Sequence, residues 1–232
     1  MHAFSFRDLP RLRECFSRVS ARPAEMDRLW ALGFRHFGTT FFRYNRICHE
    51  GRPAGVIPLR IHIPFFRLSR SQKRIQRRNR DVTVVFREAA LDAEKEAIFQ
   101  RHKARFREHA PAGLSDVLSP DPARIPCPAR ECCLYLEDRL VGVGFLDVGQ
   151  EATSAVYTAF LPGFDRRSLG IYTLLAEIAH SRAAGKRYLY HGYAYDVPSF
   201  YDYKKRFHGL EGYDWRGRWI PLERARGAGD AP

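Results

Sequence analysis

The apolar positions in the C-terminal half of the chain recur in short alternating or β-branched runs that favour β-strands. They predict five strands, at residues 132–136, 140–148, 154–160, 186–191 and 215–220. Between these strands, apolar residues at helical spacing predict a helix over 165–184, and residues 197–207 are predicted to form a short helix. Antiparallel strands that lead into a strand–helix–strand unit indicate a mixed α/β domain.

The N-terminal half is predicted to begin with a helix. Leu12, Cys15, Phe16 and Val19 recur at helical spacing within residues 10–23. The following pattern predicts a helix from Pro23 to Gly33, a strand at 38–44, a polar turn at 46–53, a strand at 56–63, an amphipathic helix at 90–109 and a loop at 111–128.

The composition excludes several classes of protein. Of the 232 residues, 45% are hydrophobic, which is enough for a sizeable core and too much for a disordered chain. No uncharged apolar run is long enough to span a membrane, and the N-terminal residues lack the apolar stretch of a secretory signal. We therefore expect a cytoplasmic protein with no membrane partner. Five cysteines without C-x-x-C spacing predict neither a disulfide framework nor a metal site.

Charge gives the first indication of a partner. Lys and Arg total 39 against 26 acidic residues, and the segment Arg67–Arg80 holds seven basic residues and no acidic one. If Ser69 caps a helix, the basic residues one and two turns apart share a face, where bound phosphates would relieve their repulsion. A solvated charge run is the alternative, although such runs normally mix both signs. We predict an anion-binding face formed by Arg70, Lys73, Arg74, Arg77 and Arg78.

A second candidate site lies at the start of the predicted long helix. The segment Arg166–Ile171 stands where a strand turns into that helix. Unpaired N–H groups and the positive end of the helix dipole favour an anion or a carbonyl there, and Gly170 permits close approach of the backbone. The alternative is that Gly170 serves only helix packing.

Several segments together resemble the arginyl/leucyl-tRNA–protein transferase family, whose members move an amino acid from aminoacyl-tRNA to a protein N-terminus. The most specific segments are Ser69-Arg70-Ser71-Gln72 and Arg167-Ser168-Leu169-Gly170. The other segments are Gly33–Gly38 with Phe42–Tyr44, Pro58–Ile61, Ser154–Tyr157, Tyr188–Tyr193, and Tyr203–Lys204 with Phe207 and Glu211. They stand in the order that the family shows.

The resemblance implies a GNAT-like acyltransferase fold, with a mostly antiparallel sheet flanked by helices. It also implies tRNA as a partner and aminoacyl-tRNA as the co-substrate, with no other cofactor. Family members carry a cysteine cluster that binds a metal, but Cys48–Ala54 replaces a stretch that usually holds several cysteines, so no metal is expected. We divide the chain into a helical lead-in with the first strand (1–55), the transferase core (56–224) and a flexible tail (225–232).

Direct attack of an α-amine on the aminoacyl ester needs mainly that the two reactants be held together. Tyr157 is predicted to orient the donor or relay a proton, and Asp147 to meet an ammonium or a basic side chain of the donor. The alternative for Tyr157 is an aromatic residue of the core, and the alternative for Asp147 is a turn residue at the end of a strand. The resemblance places Tyr193 and Lys204 near the pocket, with a solvated charge as the alternative for Lys204. His191 replaces a residue that is usually apolar in the family; we expect a satisfied core histidine, and a gained catalytic group is the alternative. The donor end is expected to bind Arg167, Ser168, Leu169 and Gly170.

The predicted function is transfer of a tRNA-borne amino acid, Arg or Leu, to the α-amine of a protein, peptide or small molecule. One alternative is a GNAT acyltransferase that uses acyl-CoA, but coenzyme A would not explain the basic segment Arg67–Arg80. The other is a non-catalytic tRNA-binding module that has kept the fold. A transfer assay with charged tRNAs separates these three hypotheses.

Overall fold

The computed structural model describes residues 9–105 and 111–222. In these ranges the strands are β1 (Arg13–Ser17), β2 (Arg35–Phe37), β3 (Thr40–Tyr44), β4 (Arg46–His49), β5 (Arg52–His62), β6 (Val82–Glu88), β7 (Ala129–Leu136), β8 (Arg139–Val148), β9 (Ala152–Phe160), β10 (Tyr188–Tyr195), β11 (Leu210–Tyr213) and β12 (Trp219–Pro221). The α-helices are α1 (Pro23–Ala31), α2 (Arg70–Arg78), α3 (Ala93–Lys103) and α4 (Leu169–Ala183). Short 3₁₀ turns occupy Ile63–Phe65, Leu114–Asp116, Asp165–Arg167 and Phe200–Arg206.

The main sheet has the strand order β12-β11-β5-β10-β9-β8-β7-β6, and β4 pairs with the outer part of β5. Among the described strands, only β9 and β10 pair in parallel, and α4 connects them. A parallel pair needs such a crossover connection, whereas the antiparallel neighbours can be joined by short turns. The architecture confirms the predicted mixed α/β, GNAT-like fold with a mostly antiparallel sheet.

The core lies between this sheet and the helices α3 and α4, which pack on β8 and β9. Leu169, Leu175 and Ile178, on the predicted apolar face of α4, are all buried. Burial of one such side chain stabilises the fold by about 1.5–3 kcal/mol. The helix thereby fixes the position of the two strands that it connects.

A small sheet with the order β1-β3-β2 lies beside the main sheet, and here the sequence prediction of a helix over residues 10–23 is wrong. Arg13–Ser17 forms strand β1, which pairs with β3 over five residues. The ring of Phe16 stacks on Phe41 at 5.2 Å between centroids and meets Phe34 edge-on. Because cross-strand pairs stabilise this segment, tertiary pairing overrides the helical spacing of its apolar residues.

Other elements differ in their bounds. The predicted polar turn at 46–53 is the β4–β5 hairpin, β6 and β11 were not predicted, and the long charged helix begins later, at Ala93. Strand β5 starts at Arg52, before the predicted domain boundary at residue 56, and this division stays a prediction. The predicted tail, 225–232, lies outside the described residues. Within the part of the chain that the structure describes, no helix has the length and apolar character needed to cross a bilayer.

Candidate active site at the β9–β10 splay

The centre of the main sheet opens between its two parallel strands. β9 and β10 are in register only from Ala152 to Ser154 and from Tyr188 to Tyr190, although both strands continue further. A bulge interrupts the pairing of β10 with β5 at Tyr190/Gly192, and another interrupts the pairing of β8 with β9. The two strands therefore separate beyond Ser154, and this splay exposes backbone groups that would otherwise form ladder hydrogen bonds.

Arg35 of β2 occupies the start of the splay. Its guanidinium donates to Ser154 Oγ at 2.6 Å and to the backbone carbonyl of Ala155. An Arg guanidinium has five N–H donors, so these two bonds leave further donors for a ligand. Arg35 lies within the family segment Gly33–Gly38, but the sequence predicted no role for it.

Lys204, in the 3₁₀ turn Phe200–Arg206, lies against the backbone of β10. Gly192 has a φ of +97°, which favours glycine, and a Cβ there would be 2.9 Å from Lys204 Nζ, so a larger residue would displace the end of the lysine side chain. Burial, reinforced by the nearby charge of Arg35, lowers the pKa of Lys204 to about 7. The half-buried Lys204 is therefore not a solvated surface charge, and a substantial fraction of its amine is neutral near pH 7.

His191 of β10 is buried, as the sequence predicted, but it is not a satisfied core histidine. Neither ring nitrogen has a hydrogen-bond partner among the described residues. Burial and the charges of Lys204 and Arg35 lower its pKa well below the ordinary histidine value. Three nitrogenous side chains thus surround the splay, and no ion pair among the described residues uses Arg35 or Lys204.

The two predicted tyrosines are placed differently. Tyr157 of β9 lies beyond the point where the strands separate, with its ring 5.3 Å from Phe99, and burial raises its pKa to about 12. Tyr193 of β10 donates its hydroxyl hydrogen bond to the carbonyl of Gly33 at 2.7 Å. Tyr193 therefore holds the segment that leads into β2 in place, whereas Tyr157 forms no such bond with the residues at 9–105 and 111–222.

Asp147 is not directed into the splay. Its carboxylate lies 2.7 Å from Nε2 of His36, and both side chains are buried. Cys127 is the third member of this cluster, and the three ligand atoms lie within 4.8 Å of one another, so they could hold a metal ion. His36 thus contacts one oxygen of the Asp147 carboxylate, and the encounter of Asp147 with a donor ammonium stays a prediction.

The basic helix forms as predicted. Ser69 Oγ accepts from the backbone N–H of Gln72, and the Gln72 side chain accepts from the N–H of Ser69, which completes a capping box. Only Gln72 and Ile75 of α2 are buried. Lys73, Arg74 and Arg77 are exposed and form no ion pair with the residues that the structure describes, and Arg70 and Arg78 are exposed as well.

The C-terminal end of α2 is joined to the turn before α4 by a set of bonds that we call the α2–α4 latch. The side chain of Arg78 donates to the carbonyl of Arg166, and Asn79 Nδ2 donates to the carbonyl of Arg167 at 2.8 Å. The Arg167 guanidinium in turn forms a two-pronged ion pair with Asp81, at 2.7 and 2.9 Å. This ion pair lowers the pKa of Asp81 below its usual value.

The predicted donor-binding turn stands at the end of this latch. Ser168 has a left-handed conformation, φ +54°, and Leu169 is buried in the core. A Cβ at Gly170 would be 3.2 Å from the Phe160 ring, so packing also requires glycine there. The side chains of Arg167 and Leu169 are occupied, and the backbone N–H groups of Arg167 and Ser168 donate to the carbonyls of Phe164 and Asp165. Among the described residues this leaves the N–H groups of Leu169 and Gly170 for a donor.

The site therefore combines an exposed basic helix, a latched helix start and a splay with two cationic side chains. The exposed helix α2 can bind a polyanion, and the splay can bind a smaller anion. Lys204 can accept a proton. Sequence reasoning missed Arg35, His36 and Cys127. Only the position of Arg35 and His36 within the family segment Gly33–Gly38 could have indicated a role, because Ser154, Cys127 and Asp147, which they meet in the fold, are distant in sequence.

Comparisons with known proteins identify the family of this chain. The family model for the C terminus of the arginine-tRNA-protein transferase matches residues 86–214, more than half of the chain. An aspartate/glutamate leucyltransferase from Gluconacetobacter diazotrophicus is 33% identical over 205 residues, covering 86% of this chain and 76% of its own. The enzyme of the same name from Ruegeria pomeroyi is 33% identical, covering 89% and 76%.

Two solved structures are similar in part. The C-terminal domain (DUF2156) of a protein described as a lysylphosphatidylglycerol synthetase from Agrobacterium fabrum has a TM-score of 0.47 and 16% identity; the match covers 78% of this chain and 54% of that one. FemX has a TM-score of 0.47 and 10% identity, with 82% and 65% covered. The family model and the two leucyltransferases decide the relationship: this chain belongs to the arginine-tRNA-protein transferase family.

Proposed function

We propose that this chain transfers leucine from aminoacyl-tRNA to the α-amine of proteins that begin with Asp or Glu. The two relatives described above are named aspartate/glutamate leucyltransferases, which supports both the donor and the acceptor. The single observation that carries the proposal is the pair Arg35 and Lys204, two cationic groups at the splay without an acidic partner among the described residues. A cytoplasmic location and a small-amine acceptor stay predictions.

The tRNA is bound by α2. Lys73, Arg74 and Arg77 are exposed on this helix, and no acidic residue of the described chain neutralises them. A phosphate backbone on this surface would remove their mutual repulsion and release condensed counterions. The latch places the turn Asp165–Arg167, and with it the start of α4, directly beside the end of α2. The aminoacyl end of the bound tRNA then enters the splay.

The chemistry is an attack of the acceptor amine on the aminoacyl ester. Lys204 accepts a proton from the acceptor ammonium, and the neutral amine forms the new C–N bond at the ester carbon. The tetrahedral intermediate then loses the ribose oxygen, which breaks the C–O bond. The second proton lost from nitrogen ends on that ribose oxygen, and Lys204 releases the first proton to solvent. The positioned base is worth about 10²–10⁴-fold in rate.

The acidic side chain of the acceptor is bound by Arg35. Its remaining N–H donors can form charge-assisted hydrogen bonds with a carboxylate, which are about twice as strong as neutral ones. The same positive charge opposes an arginyl side chain on the donor, because two cations would share a low-dielectric cleft. Both effects favour leucine as the donor and Asp or Glu as the acceptor.

The test is a transfer assay with labelled Leu-tRNA and Arg-tRNA and peptides that begin with Asp, Glu, Arg or Lys. Label from Leu-tRNA is expected on the Asp and Glu peptides, identified by mass spectrometry of the product. Transfer from Arg-tRNA alone, or to Lys peptides, would overturn the proposed specificity. Label that stays on tightly bound tRNA would make the chain a binding module, and acetyl transfer from acetyl-CoA would make it an acyl-CoA enzyme.

Removal of the exposed charges of α2 is expected to flatten the salt dependence of tRNA binding. In the variant Lys73→Ala/Arg74→Ala/Arg77→Ala, the slope of log K against log salt should fall by about 2–3, because each lost phosphate contact contributes about 0.7–0.9. Filter binding between low and moderate salt measures this slope. Arg52→Ala is the matched control and should leave the slope unchanged. Arg52 is exposed at the start of β5, and α2 follows the other end of this strand. An unchanged slope in the triple variant would place the tRNA elsewhere.

A further inference from the structure

Three polar side chains from separate parts of the chain meet in the interior beside the splay. His36 comes from β2, Cys127 from the loop before β7, and Asp147 from the end of β8. Each is buried, with 6%, 1% and 3% of its surface exposed, respectively. Nitrogen, sulfur and carboxylate oxygen are the ligand atoms that bind zinc in proteins. The cluster is therefore a candidate for metal binding.

The hydrogen bonds around His36 orient its ring as in metal sites. Nδ1 lies 2.9 Å from the carbonyl oxygen of Gly38, and since a carbonyl only accepts, Nδ1 carries the proton of this bond. Histidine ligands of metals characteristically donate their second ring N–H in this way. Nε2 is then directed at the Asp147 carboxylate, 2.7 Å away. Two acceptors at this distance need a proton or a metal ion between them.

We propose that His36 Nε2, Cys127 Sγ and Asp147 Oδ2 form a zinc site. Zinc binding displaces two protons, one from the Cys127 thiol and one from the position between His36 and Asp147. The cluster without metal is neutral with both protons in place, and Zn²⁺ with one thiolate and one carboxylate is neutral as well. The exchange thus buries no net charge, which would otherwise be costly in the interior.

A small adjustment admits the ion. Tetrahedral ligands with bonds of about 2.0–2.1 Å lie about 3.3 Å apart, so His36 and Asp147 must separate slightly from their present contact. A cavity beside them, lined by Gly38, Leu118 and Ser119 among others, has a free volume of about 10 Å³. This is close to the room of one water molecule, which supplies the fourth ligand.

The site would tie β2 to β8 and to the long loop that ends at Cys127. Arg35 precedes His36 on β2, and its partner Ser154 pairs in register with Asp147 across β8 and β9. Zinc would therefore fix the strand that carries Arg35 relative to the splay. This role is structural and does not depend on which amino acid is transferred.

The first test uses the full, reduced chain with one equivalent of zinc or cobalt. Native mass spectrometry should show an added mass of one zinc minus two protons. Cobalt should give a thiolate-to-metal charge-transfer band together with d–d bands of a four-coordinate ion. The variant Cys15→Ser/Cys48→Ser, which removes the two exposed cysteines, is the matched control and should keep both signals.

The second test removes the ligands. Cys127→Ser and His36→Gln should each abolish the thiolate band or weaken zinc binding by roughly 100-fold or more, measured by competition with a chelator. A parent chain that retains no zinc and shows no thiolate band overturns the proposal, and so does undiminished binding in a folded variant. If a variant does not fold, the parent and control spectra decide the question.

Discussion

Lys204→Met is expected to transfer leucine about 10²–10⁴-fold more slowly than the parent chain, because the acceptor ammonium loses the base that takes its proton. The effect should fall on kcat, measured with saturating Leu-tRNA and an Asp-initiated peptide. The amine of Lys204 lies beside Gly192 of β10, and burial lowers its pKa to about 7, so the base is next to the splay and partly neutral at working pH.

The pH profile separates a base from a mere positive charge. The neutral amine is the active form, so the rate of the parent should rise as pH increases through about 7 and then level off. Lys204→Arg keeps the charge but holds its proton throughout this range, and its residual rate should follow only the acceptor amine, whose ordinary pKa is about 8. An unchanged rise near pH 7 in this variant would remove Lys204 from the mechanism.

Lys205→Met is the matched control for Lys204. Lys205 is the next residue in the same turn, and it forms an ion pair with Asp202 at 2.7 Å. It carries the same charge but no role in the proposed chemistry, so its kcat should stay within about twofold of the parent. If both lysine variants lose activity equally, the loss reflects the turn Phe200–Arg206 and not the base.

Glu177→Gln is expected to stabilise the fold increasingly as pH rises. Glu177 on α4 is 1% exposed, and neither carboxyl oxygen has a hydrogen-bond partner among the described residues. Burial raises its pKa to about 8, so the folded chain holds a proton that the unfolded chain releases near its ordinary value of 4.5. Folding of the parent therefore loses stability as pH rises from about 4.5 to 8, by about 1.4 kcal/mol per unit at most.

Urea unfolding at pH 5.5, 6.5 and 7.5 measures this difference. The free energies of unfolding of parent and variant should diverge by about 2–3 kcal/mol over these two units, with the glutamine form the more stable at the higher pH. Glu151→Gln, a substitution of an exposed glutamate, should run parallel to the parent. Parallel curves for Glu177→Gln would mean that its carboxyl ionises in the folded state as it does in the unfolded one.

The elements that the sequence predicted best are those whose signals are local. The capping box at Ser69 and the basic residues that follow specify α2 within ten positions, and strands β7 to β9 coincide with three short apolar runs. The strand β1 was predicted wrongly because its stability comes from pairing with β3, some 25 residues later in the chain. Helical spacing in a short segment cannot reveal such a partner.

In the candidate site, too, the sequence predicted the residues with local signals and not those that depend on distant contacts. The basic residues of α2 and the turn before α4 were identified separately, but the latch that joins them links residues 78 and 79 to residues 166 and 167. Arg35 and the cluster of His36, Cys127 and Asp147 depend on contacts across more than 90 positions. Neither spacing nor composition records such distances, so these residues emerge only from the folded chain.

The α2–α4 latch has a consequence for the substrate. Arg78, Asn79 and Arg167 join the end of α2 to the turn before α4 by hydrogen bonds, so we expect the latch to keep the two helices at one separation. Under the proposed function, the separation between the surface that grips the nucleic acid and the cleft that receives the ester is then a fixed length. The protein would therefore select its donor by length, because a tRNA whose 3′ end is one nucleotide longer or shorter would place its ester outside the cleft.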